Sequence, residues 1–444
     1  MTDKKTQQEQ FYNDGYDYES IKPIFIDRAN VKPEHWQLLT DSKTFCMMPW
    51  VHMHAFPDGR AYPCCLADYW HPVGDLRKNT MEQVWNQEPY RKLRTNMLSE
   101  KPSKACGKCY EQEHNGAFSM RRDANRNYGH LVSEIDQTDA DGHHPEFRLR
   151  YWDVRFSNLC NFSCRTCGPI FSSNWYNEHV KMYDRKPDVL GRDMLRIEYT
   201  AGDEDTIMAQ MLPHVPYLEQ VYFAGGEPLI MKEHYFMLEK LIEHEKTDVR
   251  IQYNTNFSEL RYKDKHVFDY WKKFTTVSVG ASLDASGARA ELMRRGTDWA
   301  QAVDNRRRMI AEVPHVDFYV SATVSVMNIL HVMDFHREWV DLGLIRPQDF
   351  NINLCQSPEW YRIDILPEEF KQRVVIPALE RHIAWLDPID KLKRATMGYR
   401  TLINFVMAND ASDLLPRFRQ EIALLDSARN ENFWTVFPEL NELA

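Results

Sequence analysis

The chain has 444 residues, 43% hydrophobic and 27% charged, with a formal net charge of −10. This is enough length for two or three domains and enough apolar content for a large core. The acidic balance argues against a surface that wraps nucleic acid. Nine cysteines are too few for a disulfide scaffold. Eight of them cluster at metal-ligand spacings, which points to a reducing cytoplasm. No run approaches about 18 apolar residues, so no membrane span is expected.

Residues 1–25 read as a polar, flexible arm, and Met1 to Ser20 lacks the apolar core of a signal peptide. A cysteine-rich module is expected over 40–118. Cys46 is followed by Gly59, Cys64, Cys65 and the pair Cys106-Gly107-Lys108-Cys109. The segment Phe56 to Tyr62 predicts a hairpin with Asp58-Gly59 as its turn, which brings Cys46 and Cys64 toward one metal. Thr80 and Gln83 have capping-box spacing, and Pro89 opens a further helix carrying Tyr90, Leu93 and Met97. The spacing permits an Fe–S cluster or a four-cysteine structural zinc site. Residues 119–147 are polar and read as a solvated linker. Their Asp136, Asp139, Asp141, His143 and His144 make a metal site conceivable there.

From 148 to 357 strand and helix patterns alternate. Candidate strands are 151–156, 220–224, 250–254, 276–281, 317–324 and 350–354. Candidate helices lie near 171–183, 231–245, 264–273, 297–311, 331–342 and 367–384. Alternating β and α implies an α/β fold with parallel strands, right-handed crossovers and a site at the C-terminal strand ends. Directly after the first strand come Cys160, Cys164 and Cys167, three soft ligands within eight residues. Such a set favours an Fe–S cluster or zinc. No fourth cysteine follows nearby, so one metal position would stay open.

The second strand ends in Gly225-Gly226-Glu227-Pro228, where two glycines let backbone approach a ligand closely. The third ends in Asn254-Thr255-Asn256 and the fourth in Ser282-Leu283-Asp284, with Arg295-Gly296 beyond it. Cys355 follows the sixth strand. A thiol at the barrel mouth can relay a hydrogen atom, although a buried structural cysteine is the commoner case. Residues 358–444 read as a helical extension rich in Trp, Phe and Leu.

The Cys-x3-Cys-x2-Cys loop followed one strand later by Gly-Gly-Glu resembles the radical S-adenosylmethionine (SAM) superfamily. The resemblance implies a (β/α)6 partial TIM barrel over 148–357. It also implies a [4Fe–4S] cluster on Cys160, Cys164 and Cys167 whose open iron chelates SAM, and reductive cleavage of SAM to a 5′-deoxyadenosyl radical. It places Gly225, Gly226, Glu227, Asn254, Thr255, Ser282, Asp284 and Arg295 around SAM. The module at 40–118 resembles SPASM and twitch domains, which implies one auxiliary [4Fe–4S] cluster on Cys46, Cys64, Cys106 and Cys109, with Cys65 able to replace Cys64. Two departures stand out. The module precedes the barrel, and Thr166 stands where relatives often carry an aromatic residue beside adenine, so adenine contacts are expected from elsewhere.

The implied activity is hydrogen-atom abstraction from a peptide or protein substrate, with the auxiliary cluster assisting oxidation. A small-molecule substrate is the near alternative. The implied electron donor is a flavodoxin or ferredoxin. A reading of another class, an iron–sulfur electron carrier that does not cleave SAM, is opposed by the intact Gly225-Gly226-Glu227.

Overall fold

The computed structural model describes residues 11, 24–114, 118–189 and 191–444. The arm expected over 1–25 therefore lies almost wholly outside the described residues. Nine strands form the main sheet: β1 (His52–Ala55), β2 (Arg60–Tyr62), β3 (Gly74–Asp75), β4 (Tyr151–Val154), β5 (Gln220–Phe223), β6 (Arg250–Thr255), β7 (Val277–Ala281), β8 (Asp317–Val324) and β9 (Phe350–Leu354), in the order 9-8-7-6-5-4-1-2-3. β4 to β9 are parallel neighbours in chain order. The helices between them include α1 (Trp175–Tyr183), α2 (Lys232–Glu243), α3 (Val267–Trp271), α4 (Trp299–Glu312) and α5 (Val332–Asp341).

Alternation along each strand separates two environments. Trp152, Val154, Val221, Phe223, Ile251, Tyr253, Val277 and Val279 are buried in the main apolar core, each aliphatic side chain contributing about 1.5–3 kcal/mol by leaving water. The intervening positions are polar: Tyr222, Gln252, Asn254, Ser278, Tyr319 and Asn353 line cavities.

The cysteine-rich segment does not stand apart. β1 pairs in parallel with β4, His52 opposite Tyr151 and His54 opposite Asp153, so the N-terminal hairpin continues the sheet of the α/β domain. Gly59, at φ +92°, turns the chain between β1 and β2, and its N–H donates to Phe56 O. Thr80 and Gln83 make the expected reciprocal cap, and Pro89 sits in the first turn of Glu88–Leu98.

The linker expected over 119–147 is corrected. It opens with a helix, Met120–Tyr128, that buries Ala124, Asn125 and Tyr128 against Phe45, Met47 and Trp50. Its polar residues are structural: Asn125 accepts from Met47 N at 3.0 Å and donates to Phe45 O at 3.2 Å. Asp136 takes Lys32 and His35 at 2.7 and 2.8 Å, and Asp141 takes Arg91 at 2.5 Å. Composition concealed this helix because its buried face is amide and guanidinium rather than aliphatic.

The C-terminal helices α6 (Ile376–Leu386), α7 (Arg394–Ala408) and α8 (Leu415–Arg429) cover the β9 side and reach back to the Cys160–Cys167 loop. Arg165 is buried and pairs with Asp426 and Glu431 at 2.5 Å each, while Arg429 donates to Ser163 O at 2.8 Å. No helix among the described residues is long and apolar enough to cross a membrane.

Candidate active site and auxiliary cysteine centre

The loop after β4 is held from three sides. Ser163–Cys164 pairs antiparallel with Arg294–Arg295, Arg165 N donates to Met293 O at 2.8 Å, and Cys167 N donates to Cys164 O at 3.0 Å. Burial raises the pKa of all three thiols, that of Cys167 to about 12. Arg294 opposes that shift at Cys164, with its guanidinium 3.7 Å from the sulfur. Asp284 fixes Arg294 through bonds of 2.7 and 3.0 Å and also accepts Thr323 N at 2.8 Å.

These thiols open on a cavity of about 420 Å³. Gly225, Gly226, Asn254, Thr255, Asn256, Ser282, Arg294, Thr323 and Cys355 share its lining. Gly225 and Gly226 have φ of +80° and +55°. A Cβ on Gly226 would lie 2.2 Å from Leu159 O, and one on Gly225 would lie 2.5 Å from Arg155 Cδ. The sequence therefore supplies a backbone cradle that no larger residue could occupy.

Glu227 lies behind this cradle. It is fully buried and accepts Leu229 N at 3.0 Å, Thr255 Oγ1 at 2.7 Å and Asn256 N at 2.6 Å, tying the glycine turn to the end of β6. Burial raises its pKa to about 7. Asp284 likewise serves Arg294 rather than the cavity surface. Arg295 points away and pairs with Glu178 at 2.9 Å with its side chain 45% exposed. Alternation in the two-residue strand makes Arg294 the cavity arginine, which corrects the expectation for Arg295.

Thr166 lines the cavity together with Phe56, Phe162 and Phe171. Phe56 and Phe171 meet edge to face at 5.4 Å, so aromatic surface comes from the module hairpin and from beyond the third cysteine. Sequence reasoning missed Arg155, Arg294 and Phe56. Arg155 was findable as the next same-face position after Asp153. The Cys355 thiol faces the same cavity lining, donates to Ser357 O at 3.6 Å, and is pushed up to about 12 by burial.

The second centre gathers Cys46, Cys64, Cys106 and Cys109, close enough that the charge on one is felt by the others. Backbone N–H groups of Met120 and Arg121 donate toward Cys109, and that of Met48 toward Cys46. Cys65 faces away, against Asp153 and Arg155. Of the adjacent pair, Cys64 is therefore the one gathered with the other three.

The thiols are not drawn to a single point. Among the described residues no three of them come within 4.8 Å of one another. Tetrahedral zinc, with Zn–S near about 2.3 Å, would hold its sulfurs about 3.8 Å apart. Soft donors not gathered that tightly suit an iron–sulfur cluster at both centres.

A second cavity, of about 590 Å³, shares Tyr222 and Asn353 with the first. Its lining includes Gln252, Ser278, Asp317 and Tyr319 from the sheet, and Met48, Cys65, Leu66 and Met120 from the cysteine module.

Residues 154–324 match the family model of the radical SAM superfamily, and residues 46–110 match that of SPASM, an iron–sulfur cluster-binding domain. No curated protein matches the chain. Among solved structures it is similar to native anSMEcpe with bound AdoMet, at 14% identity over 54% of this chain and 58% of that one, with a TM-score of 0.34. It is also similar to Streptococcus suis SuiB bound to precursor peptide SuiA, at 13% identity over 67% and 64%, with a TM-score of 0.35. The chain thus spans less than two thirds of the length of these structures. The radical SAM domain implies a [4Fe–4S] cluster and SAM, and the SPASM domain implies auxiliary iron–sulfur, which the two thiol sets and the glycine cradle fit. The chain is accordingly an enzyme that carries a radical SAM domain over 154–324 and a SPASM domain over 46–110.

Proposed function

We propose that this enzyme removes a hydrogen atom from a peptide or protein substrate whose reacting residue enters the cavity between the two cysteine centres, giving a net oxidation. When bound, SAM and the clusters supply the hydrogen-abstracting radical and an electron acceptor. Cys160, Cys164 and Cys167 would hold the cluster that engages SAM, and Cys46, Cys64, Cys106 and Cys109 one auxiliary [4Fe–4S] cluster. The observation that carries the reading is the pair of adjoining cavities. One is lined by the three-cysteine loop, the other by Met48 and Cys65 of the module with Met120 of the helix that follows it, and Tyr222 and Asn353 belong to both.

The residues divide the work. Gly225 and Gly226 present backbone to SAM. Asn254, Thr255 and Ser282 offer hydrogen bonds at the strand ends, and Arg294 offers a cation for a carboxylate. Glu227 and Asp284 position these groups from behind. Cys355 keeps its proton and is a candidate hydrogen donor. A flavodoxin or ferredoxin is the expected electron source. A small-molecule substrate is the second reading, favoured by the size of the inner cavity, which matches that of small-ligand pockets.

The test is anaerobic incubation with SAM, dithionite and host extract separated by size, read by mass spectrometry. Species in the peptide fraction that lose two hydrogens are expected. Turnover confined to the small-molecule fraction would move the assignment to the second reading, and SAM cleavage without any changed species would sink both.

A further inference from the structure

His52 and His54 lie on β1 and Asp153 on β4, and all three side chains are completely buried. A His-x-His pair on a strand places both imidazoles on one face, and the parallel register sets Asp153 directly beside His54. One ligand atom from each of the three lies within 4.8 Å of the others. No other group of three His, Cys, Asp or Glu side chains among the described residues meets that condition.

The backbone fixes how the imidazoles are presented. His52 Nδ1 lies 3.0 Å from Tyr151 O and His54 Nδ1 lies 2.7 Å from Asp153 O. A carbonyl only accepts, so each Nδ1 carries the proton, and in the neutral ring each Nε2 is the lone-pair nitrogen. Neither Nε2 has a partner, whereas the carboxylate of Asp153 is held by its neighbours. Arg155 flanks one oxygen at 3.0 Å and His54 Nδ1 the other at 3.2 Å. The two Nε2 lone pairs are the buried acceptors left without a partner, each at a cost of about 1–3 kcal/mol. A proton on Nδ1 donated to a carbonyl, with Nε2 free, is also the way metal-bound histidines are held.

We propose that His52, His54 and Asp153 form a mononuclear zinc site, distinct from both cysteine centres, that joins the SPASM hairpin to the first strand of the radical SAM domain. Two imidazoles and a carboxylate are ligands of the hardness zinc prefers. Burial keeps His52 neutral, its pKa lowered to about 4, and Arg155 with the neighbouring imidazoles keeps Asp153 ionised. Cys65, lying against Asp153, offers a sulfur as fourth ligand. Neither histidine nor Asp153 lines either cavity described above, and of the four ligands only Cys65 borders open space, as suits a structural site.

The test uses the full chain with its clusters intact, produced in zinc-supplemented medium. Metal analysis and zinc K-edge absorption are the readouts. About one zinc per chain is expected, in a first shell of nitrogen and oxygen at about 2.0–2.1 Å with at most one sulfur. His52→Gln and His54→Gln should each remove the zinc, leave the iron content unchanged and lower the melting midpoint. Three outcomes overturn the proposal: no stoichiometric zinc, a shell made only of sulfur, or zinc retained in both variants. Should the variants fail to fold, the ligand shell of the unaltered protein decides alone.

Discussion

The two cysteine centres are built by opposite strategies. Cys160, Cys164 and Cys167 sit within eight residues on one loop. The loop's shape is imposed from outside, by Arg294, by Asp426 and Glu431 pairing with the loop's own Arg165, and by Arg429 of the C-terminal helix α8. Cys46, Cys64, Cys106 and Cys109 are spread over more than sixty residues and are brought together by a local apolar cluster around Phe45, Met47 and Trp50. The first centre is local in sequence and supported at long range, facing a cavity. The second is non-local in sequence and supported by its own small core. A centre facing a cavity can exchange a ligand, whereas one enclosed by its own fold is suited to a fixed cofactor.

The largest expected effect breaks the first centre alone. Cys164→Ala should abolish formation of 5′-deoxyadenosine from SAM under dithionite, measured by chromatography, and lower iron from about eight to about four per chain. Cleavage persisting in this variant would refute the assignment of the loop. The converse change, Cys106→Ala with Cys109→Ala, should also leave about four irons. It should retain slow SAM cleavage while losing substrate conversion, with the far-ultraviolet circular dichroism preserved. A loss of SAM affinity in a folded variant would mean that the two centres are coupled.

Gly226→Ala sharpens the comparison from the ligand side. Its Cβ would meet Leu159 O at 2.2 Å in a left-handed backbone, at a cost of about 1–3 kcal/mol. SAM affinity should fall about tenfold or more, as that cost implies, while the auxiliary iron stays. The smallest effect concerns Glu227, whose pKa is raised in the fold from 4.5 to about 7. Its neutral form is the one the fold prefers. That stability is fully present below pH 4.5 and is lost as pH rises to about 7. Thermal midpoints should therefore decline over this window in the parent relative to Glu227→Gln. Parallel profiles for the two would show that burial does not govern this carboxyl.

Much of this was legible in the sequence because it depends on local chemistry. The six parallel strands start or end within a few residues of their predicted positions, since apolar residues recur along each between polar turns. The thiol spacing and the Gly-Gly turn are likewise contiguous. What the sequence withheld is relational. Nothing in His52-Met53-His54 announces that its neighbour will be Asp153. Nothing in 119–147 announces a helix whose buried face is Asn125 and Arg121. Arg294 and Arg295 are indistinguishable on paper, and only pairing with Ser163–Cys164 decides which one faces the sulfur.

The pairing of β1 with β4 has a consequence for how the chain is made. His52 and Tyr151 are separated by 99 positions, and closing a loop of that size costs about 4 kcal/mol of chain entropy. During synthesis the hairpin emerges first, and its outer edge must wait for β4 with its N–H and C=O groups unpaired. An unpaired edge is a template for association between nascent chains. Early assembly of the cysteine module around its metal would hold that edge in place until its partner strand arrives. If the module does assemble in this order, iron limitation during expression should appear as aggregated protein rather than as soluble protein lacking its clusters.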